Sequence, residues 1–381
     1  MRTGKIDDIR ECIGCNFCVS RDIGTAPIAC TQNATTGEEF RRGWHPEVFA
    51  TASNHDNDVL VIGAGPAGME CAMVLGKRGM RNVHLVEAGD HIGGNVAWVS
   101  KLPGRHEWRR IIEYREHQLR KLDNVEVILN TPMTVEDALD YGAGIVITAT
   151  GSHYLRDGID PHDRLPFGLE PVLGERLLTP EQVVRDGAEV GRRVVVVDSD
   201  GYFMGPGIAE LLARRGCQVW LTTRGEHIGE YQRYTREIAR TLYDLRELGV
   251  KLRVETKVAA IDATHVRLTC PDRDEEIVEV DNVVLVGTRK ADDELYRGLM
   301  ARRDDWAVNE ISAVYRIGDC VRPNFIADAI FSGHRLGREI DSPHPQRALP
   351  FIRERRIIGA SEADYRLGAQ ALQPVFLNTA D

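Results

Sequence analysis

Asp58-Val59-Leu60-Val61-Ile62-Gly63-Ala64-Gly65-Pro66-Ala67-Gly68 opens an apolar run onto a glycine-rich turn. A helix from Met69 to Arg78 follows, stopped by Gly79, and then a second apolar run, Asn82-Val83-His84-Leu85-Val86, ending at Glu87. Strand, tight turn, helix and strand in that order make a dinucleotide-binding βαβ unit. Gly63 permits the turn, Gly65 lets backbone N–H groups approach a pyrophosphate, and Gly68 lets helix and strand pack closely. Phosphates then sit at the positive end of the helix. Glu87, 24 residues after Gly63, stands where it accepts hydrogen bonds from ribose hydroxyls. The expected nucleotide-binding set is therefore Gly63, Gly65, Pro66, Ala67, Gly68 and Glu87. The adenosine diphosphate half is all these residues read, so FAD and ADP both satisfy them.

Working outward toward the C-terminus, an amphipathic helix is expected over Trp108–Leu122. Ile111, Ile112, Leu119 and Leu122 would face inward, and Arg109, Arg110, Arg115 and Arg120 would face solvent. Strands at Val125–Leu129 and Ile145–Ala149 complete the first unit. A second α/β unit is expected over 159–289. Thr179-Pro180-Glu181-Gln182 carries a helix-start signature, a hydroxyl cap with proline behind it. Arg193-Val194-Val195-Val196-Val197 nearly copies the first unit's opening strand, and a helix over Ile208–Arg215 and a strand over Gln218–Leu221 follow. Superposing the two units puts Asp198 at the Gly63 position, Asp200 at the Gly65 position and Phe203 at the Gly68 position. The second turn thus has two carboxylates where phosphates would bind. Further strands are expected at Lys251–Val254, His265–Leu268 and Val283–Val286. The chain then returns to the first unit through Val314–Cys320 and a helix over Phe325–Ile340.

Working toward the N-terminus, the polar stretch Thr51–Asn57 reads as a linker, and beyond it lies a cysteine cluster. Cys12, Cys15, Cys18 and Cys30 are spaced C-x2-C-x2-C-x11-C, four of the eight cysteines within nineteen residues. Three thiolates on one tight loop, with Gly14 to fold it and a fourth arriving from a short excursion, match the pattern that holds a [4Fe-4S] cluster. Zinc is the alternative, although structural zinc sites usually take two separated pairs. The remaining cysteines, Cys71, Cys217, Cys270 and Cys320, are scattered and read as small core residues in a reducing cytoplasm.

Composition narrows the function classes. The 381 residues suffice for two or three domains, with 43% hydrophobic and 28% charged content. A formal charge of −10 argues against a nucleic-acid surface and against anionic membranes. No apolar run approaches the roughly 20 residues a membrane span needs. The histidines form no H-E-x-x-H or H-x-x-E-H group, so a hydrolytic metal site is not expected.

The runs Asp8–Asn16, Cys30–Glu39 and Arg41-Arg42-Gly43-Trp44-His45-Pro46-Glu47 resemble one family in particular. It is the iron–sulfur flavoprotein branch of the old yellow enzyme (NADH:flavin oxidoreductase) relatives, that of the trimethylamine and dimethylamine dehydrogenases. The 2,4-dienoyl-CoA reductases are more distant members, and the resemblance runs to about residue 358. It implies an FMN-bearing (β/α)8 barrel, as a domain or subunit, that precedes the cluster and carries the substrate chemistry. The catalytic residues would lie on that barrel, and this chain would be a separate subunit or a C-terminal portion. The resemblance also implies that Gly94, in His91-Ile92-Gly93-Gly94-Asn95, shapes the loop beside the nucleotide. Gly318 and Asp319 would bring a carboxylate to the ribityl or pyrophosphate region. His45 would hydrogen-bond near the cluster loop.

The expected architecture is α/β: an iron–sulfur segment (1–52), a Rossmann-like FAD/ADP domain (53–158 and 290–345), a degenerate NAD(P)-like domain inserted in it (159–289), and an extended tail (346–381). The expected function is electron transfer from flavin-dependent oxidation of an amine, through the cluster, to an acceptor such as electron-transferring flavoprotein. A cytoplasmic oligomer is expected. Two other functions compete: an NAD(P)H-dependent enoate reductase module, and a non-catalytic nucleotide-binding subunit.

Overall fold

Val59, Leu60, Val61 and Ile62 are all buried, as a parallel strand covered on both faces requires. They belong to β1 (Asp58–Ile62), the middle strand of the first sheet. The structure, a computed structural model, describes residues 4–39, 41, 43, 44, 47–167, 174 and 176–347. Arg42, His45, Pro46 and the tail beyond residue 347 lie outside the described residues.

Ahead of β1 the cysteine segment carries one short helix, α1 (Phe17–Ile23). After β1 come α2 (Pro66–Lys77), β2 (Asn82–Val86), α3 (Asn95–Val99), α4 (Arg110–Leu119), β3 (Val125–Ile128), α5 (Val135–Leu139) and β4 (Ile145–Thr148). β5 (Ser152–Tyr154) leads out of this unit. The second unit runs β6 (Leu177–Leu178), α6 (Pro180–Val184), β7 (Arg193–Asp198), α7 (Met204–Arg214), β8 (Gln218–Thr223), α8 (Ile238–Glu247) and β9 (Lys251–Arg253). A small antiparallel sheet, β10 (Lys257–Ile261), β11 (His265–Cys270) and β12 (Arg273–Glu279), precedes β13 (Asn282–Val286). β14 (Arg289–Ala291), α9 (Glu294–Ala301), β15 (Ala313–Arg316) and α10 (Ile326–Glu339) bring the chain back.

The two large sheets are parallel and alike, β15-β4-β1-β2-β3 and β6-β13-β7-β8-β9. Because β15 pairs with β4, the whole second sheet is inserted between two neighbours of the first. The exit and return strands, β5 and β14, pair antiparallel, with Tyr154 opposite Arg289. α10 packs along α2 and closes the first unit. The Thr179 cap is present as a full capping box with Gln182.

Two expectations need correction. The Trp108–Leu122 helix starts later, at Arg110, behind a 3-10 turn over His106–Arg109. Arg115, expected to face solvent, is 0% exposed. Buried carboxylate and amide partners hold it, and a helical pattern read alone does not reveal them.

Candidate functional site

A cavity of about 680 Å³ opens at the carboxyl ends of the first sheet, beside the glycine turn, where open α/β sheets place their ligands. Gly63 has φ +105°, and a β-carbon there would lie 2.4 Å from the Ala149 carbonyl oxygen. A β-carbon on Gly68 would lie 1.9 Å from the Gly63 carbonyl oxygen. The fold itself demands both glycines. Gly65 is different: its nearest neighbour would be Gly94 Cα at 4.0 Å, so no protein atom excludes a side chain there. The space in front of Gly65 belongs to the cavity.

Gly63, Gly65, Pro66, Ala67, Glu87, Gly94 and Asp319 all border this cavity. Gly68 and Gly318 stand behind it. Gly318 lies against Ala67 and donates its N–H to Ser332 Oγ at 2.8 Å. The Glu87 carboxylate accepts the Ala64 N–H at 2.8 Å and the Gly89 N–H at 2.9 Å. A carboxylate has about four lone-pair positions, which leaves two for incoming hydroxyls. Asp319 accepts from Ser152 Oγ and the Arg289 guanidinium, both at 2.9 Å, and from the Asn324 N–H at 3.2 Å.

The same cavity is also bordered by Cys15, Phe17 and Thr31 of the cysteine segment. Cys12 and Cys18 are exposed, Cys30 is half-buried and Cys15 is buried. Burial pushes the Cys15 thiol up, and Cys30 and Cys18 are near enough to add to the shift. Cys15 Sγ donates to Thr31 Oγ1 at 3.2 Å, and the Gly14 N–H donates to Cys12 Sγ at 3.4 Å. Among the described residues no group of three or more His, Cys, Asp or Glu side chains is gathered to hold a metal ion.

Aromatic rings also wall the cavity. Phe325 stacks near Phe17 at 5.3 Å and Tyr231 at 5.0 Å, and Tyr202 meets Tyr231 at 4.9 Å. Asn16 Nδ2 donates to the Thr235 carbonyl at 2.8 Å, tying the cysteine segment to the inserted unit. Sequence reading missed this wall because its rings come from three distant stretches with no shared pattern.

In the inserted unit the turn after β7 differs from its counterpart. α2 begins three residues after Gly63, but α7 begins six residues after Asp198. The expected registration of Phe203 on Gly68 is therefore wrong. Gly205 is the close-packing glycine, since a β-carbon there would lie 2.3 Å from Asp198 Cγ. Phe203 instead packs edge-on against Trp108 of the first unit at 4.9 Å. Asp198 Oδ1 accepts the N–H groups of Asp200 at 3.1 Å and Gly201 at 3.2 Å, so the turn's donors point at its own carboxylate. Burial, with Asp200 nearby, pushes the Asp198 carboxyl up to about 7. Arg224 is held by Asp163 at 2.7 Å and Asp160 at 3.2 Å.

The pyridine nucleotide-disulphide oxidoreductase family model matches residues 57–333, with a second match over 26–152. The chain belongs to that family. Within this oxidoreductase family it is 42% identical to dimethylamine dehydrogenase from Hyphomicrobium sp. (strain x), over 94% of this chain and 52% of the relative. Histamine dehydrogenase from Rhizobium sp. 4-9 superposes with a TM-score of 0.87 at 39% identity, covering 93% of this chain and 55% of that one. A 6-hydroxypseudooxynicotine amine oxidase from Pseudomonas geniculata N1 gives 0.82 at 36% identity, over 88% and 50%. The chain thus spans about half the length of the relatives it matches. The resemblance to the amine dehydrogenase branch stands, as does the pair of Rossmann-like units. Among the described residues no helix is long and apolar enough to cross a membrane.

Proposed function

We propose that this chain is the electron-transfer portion of an amine-oxidising iron–sulfur flavoprotein. The observation that carries the reading is one cavity bordered by Gly65 and Glu87 and also by Cys15. An adenine nucleotide, FAD or ADP, is assigned to the Gly63–Gly68 turn, with Glu87 on its ribose and Gly94, Gly318 and Asp319 shaping the far side. Cys12, Cys15, Cys18 and Cys30 are assigned to one [4Fe-4S] cluster. Bound there, such a cluster passes single electrons between a flavin and an external acceptor. The chain's own part is to hold Cys15 dry while leaving Cys12 and Cys18 at the surface, where an electron acceptor approaches.

FMN and the catalytic residues are assigned to a barrel domain or subunit. Ile6, Ile9, Ile23, Ile28 and Val48, all on the cysteine segment, are exposed, which is compatible with such a partner. Electron-transferring flavoprotein is the proposed acceptor, in the cytoplasm, and the segment boundaries given above are the proposed domains. The enoate reductase alternative needs NAD(P)H on the inserted unit, and the self-filled Asp198 turn disfavours it.

Anaerobic purification tests the proposal. About four irons and four acid-labile sulfides per chain are expected, with ADP or FAD released on denaturation. Replacing Cys12, Cys15, Cys18 or Cys30 with Ala should remove or degrade the broad absorption near ~400 nm. Zinc in place of iron, or a chain with neither nucleotide, would overturn it.

A further inference from the structure

Arg115 on α4 is buried on every side, and its guanidinium spends its donors on two regions. Nε donates to Glu70 Oε2 at 2.8 Å. One terminal nitrogen donates to Gln32 Oε1 at 3.1 Å and to the Ile111 carbonyl at 2.9 Å, and the other donates to the Gln32 carbonyl at 3.2 Å. Gln32 Nε2 in turn donates to the Glu11 carbonyl at 3.1 Å. Gln32 lies two residues after Cys30, and Glu11 immediately precedes Cys12. A single guanidinium therefore laces together the two ends of the segment that carries all four cysteines.

Its counter-ion faces the other way. Glu70 sits on α2, whose first turn borders the nucleotide cavity. Glu70 Oε1 accepts from His334 Nδ1 on α10 at 2.8 Å, and His334 Nε2 accepts from Arg338 at 3.1 Å. A buried ion pair of this kind is weak grounds for stability, because desolvation opposes it. Its value lies in fixing one geometry. Both partners are at most 1% exposed, so neither moves without leaving the other unpaired.

We infer that Arg115 is a positioning residue: it sets the separation of the Cys12 and Cys30 ends and couples that separation, through Glu70, to the nucleotide-binding helix. The inference rests on the cysteines being cluster ligands. A nucleotide that stiffens the start of α2 then also protects the cluster, and by linkage the cluster strengthens nucleotide binding.

The test uses the whole chain, purified anaerobically, as wild type, Arg115→Gln, Gln32→Ala and, as a control for general destabilisation, Val196→Ala in the second sheet. An iron chelator is added with and without saturating ADP, and the bleaching rate is followed. Wild type should bleach about fivefold more slowly with ADP, a typical coupling between sites. Arg115→Gln should bleach about tenfold faster than wild type, as loss of outer-shell support does at metal centres, and ADP should no longer protect it. Gln32→Ala should likewise bleach faster, lose protection by ADP and bind ADP more weakly by the same roughly fivefold factor, and it decides the matter alone if Arg115→Gln does not fold. Val196→Ala should melt earlier yet bleach like wild type. Wild-type rates in both Arg115→Gln and Gln32→Ala, or equal acceleration in Val196→Ala, would overturn the inference. An iron-free wild type would instead overturn the cluster assignment on which it rests.

Discussion

Glu87 Oε2 accepts the Ala64 N–H at 2.8 Å, so the end of β2 is pinned to the glycine turn that follows β1. One carboxylate thus serves the fold and, in the proposed complex, the ribose. Glu87→Ala is expected to weaken ADP binding by about 1–3 kcal/mol, the cost of charge-assisted hydrogen bonds. Glu87→Gln keeps an acceptor for Ala64 and should fall between. Calorimetry with ADP is the check, and equal affinity in all three proteins would remove Glu87 from the ribose.

Gly65 and Gly68 should fail in opposite ways. Gly65→Val meets no protein atom closer than 4.0 Å at its β-carbon, so the melting temperature should stay near wild type while nucleotide binding is lost. Gly68→Ala drives a methyl to 1.9 Å from the Gly63 carbonyl oxygen and should cost stability itself, about 1–3 kcal/mol by overpacking. Melting curves with and without ADP separate the two, and a Gly65→Val protein that still binds ADP would contradict the cavity assignment.

Asp198 gives a pH signature. Its folded-state carboxyl is raised to about 7 from an ordinary 3.8, so the folded protein holds a proton that the unfolded chain has released. The stability tied to that proton is complete below about pH 4 and is lost as pH rises through about 7. Asp198→Asn should therefore raise the melting temperature most at pH 8 and change it least near pH 4, because the loss accumulates from the ordinary 3.8 up to about 7. An equal effect at both would mean that Asp198 is ionised throughout.

NADPH should neither bind tightly nor reduce the oxidised chain. The turn after β7 spends the Asp200 and Gly201 N–H groups on Asp198 Oδ1, so they do not face a phosphate. Arg224, which follows β8 and would be a cation for a 2′-phosphate, is already held by Asp163 and Asp160. Stopped-flow mixing is the measurement. Bleaching of flavin or cluster within seconds would promote the enoate reductase reading.

The βαβ unit was legible because its signals are local: β-branched residues before the turn, glycines within it, and an acid at the next strand end. The inserted copy was legible as a fold for the same reason, but its turn was misregistered. Three extra residues between Asp198 and α7 leave no mark in a pattern read against the shorter parent. Arg115 was misread because its partners Glu70 and Gln32 lie 45 and 83 positions away, and helical periodicity assigns any arginine to water. β12 was missed since Arg273-Asp274-Glu275-Glu276 is uniformly charged, an outer strand with little to bury. The four cysteines stand out in the sequence by their spacing, whereas the Phe325, Tyr231 and Tyr202 rings exist as a wall only after folding.

The antiparallel pairing of β5 with β14 sets Tyr154 against Arg289, so the chain leaves and re-enters the host unit through a narrow two-strand ribbon. Topologically the inserted unit is an enlarged hairpin loop. The host sheet closes through the β15–β4 pairing whatever the length or content of the insertion between them. The turn at Asp198 closes on its own side chain, and the inserted unit serves the first unit's cavity as wall and brace through Tyr202, Phe203 and Tyr231.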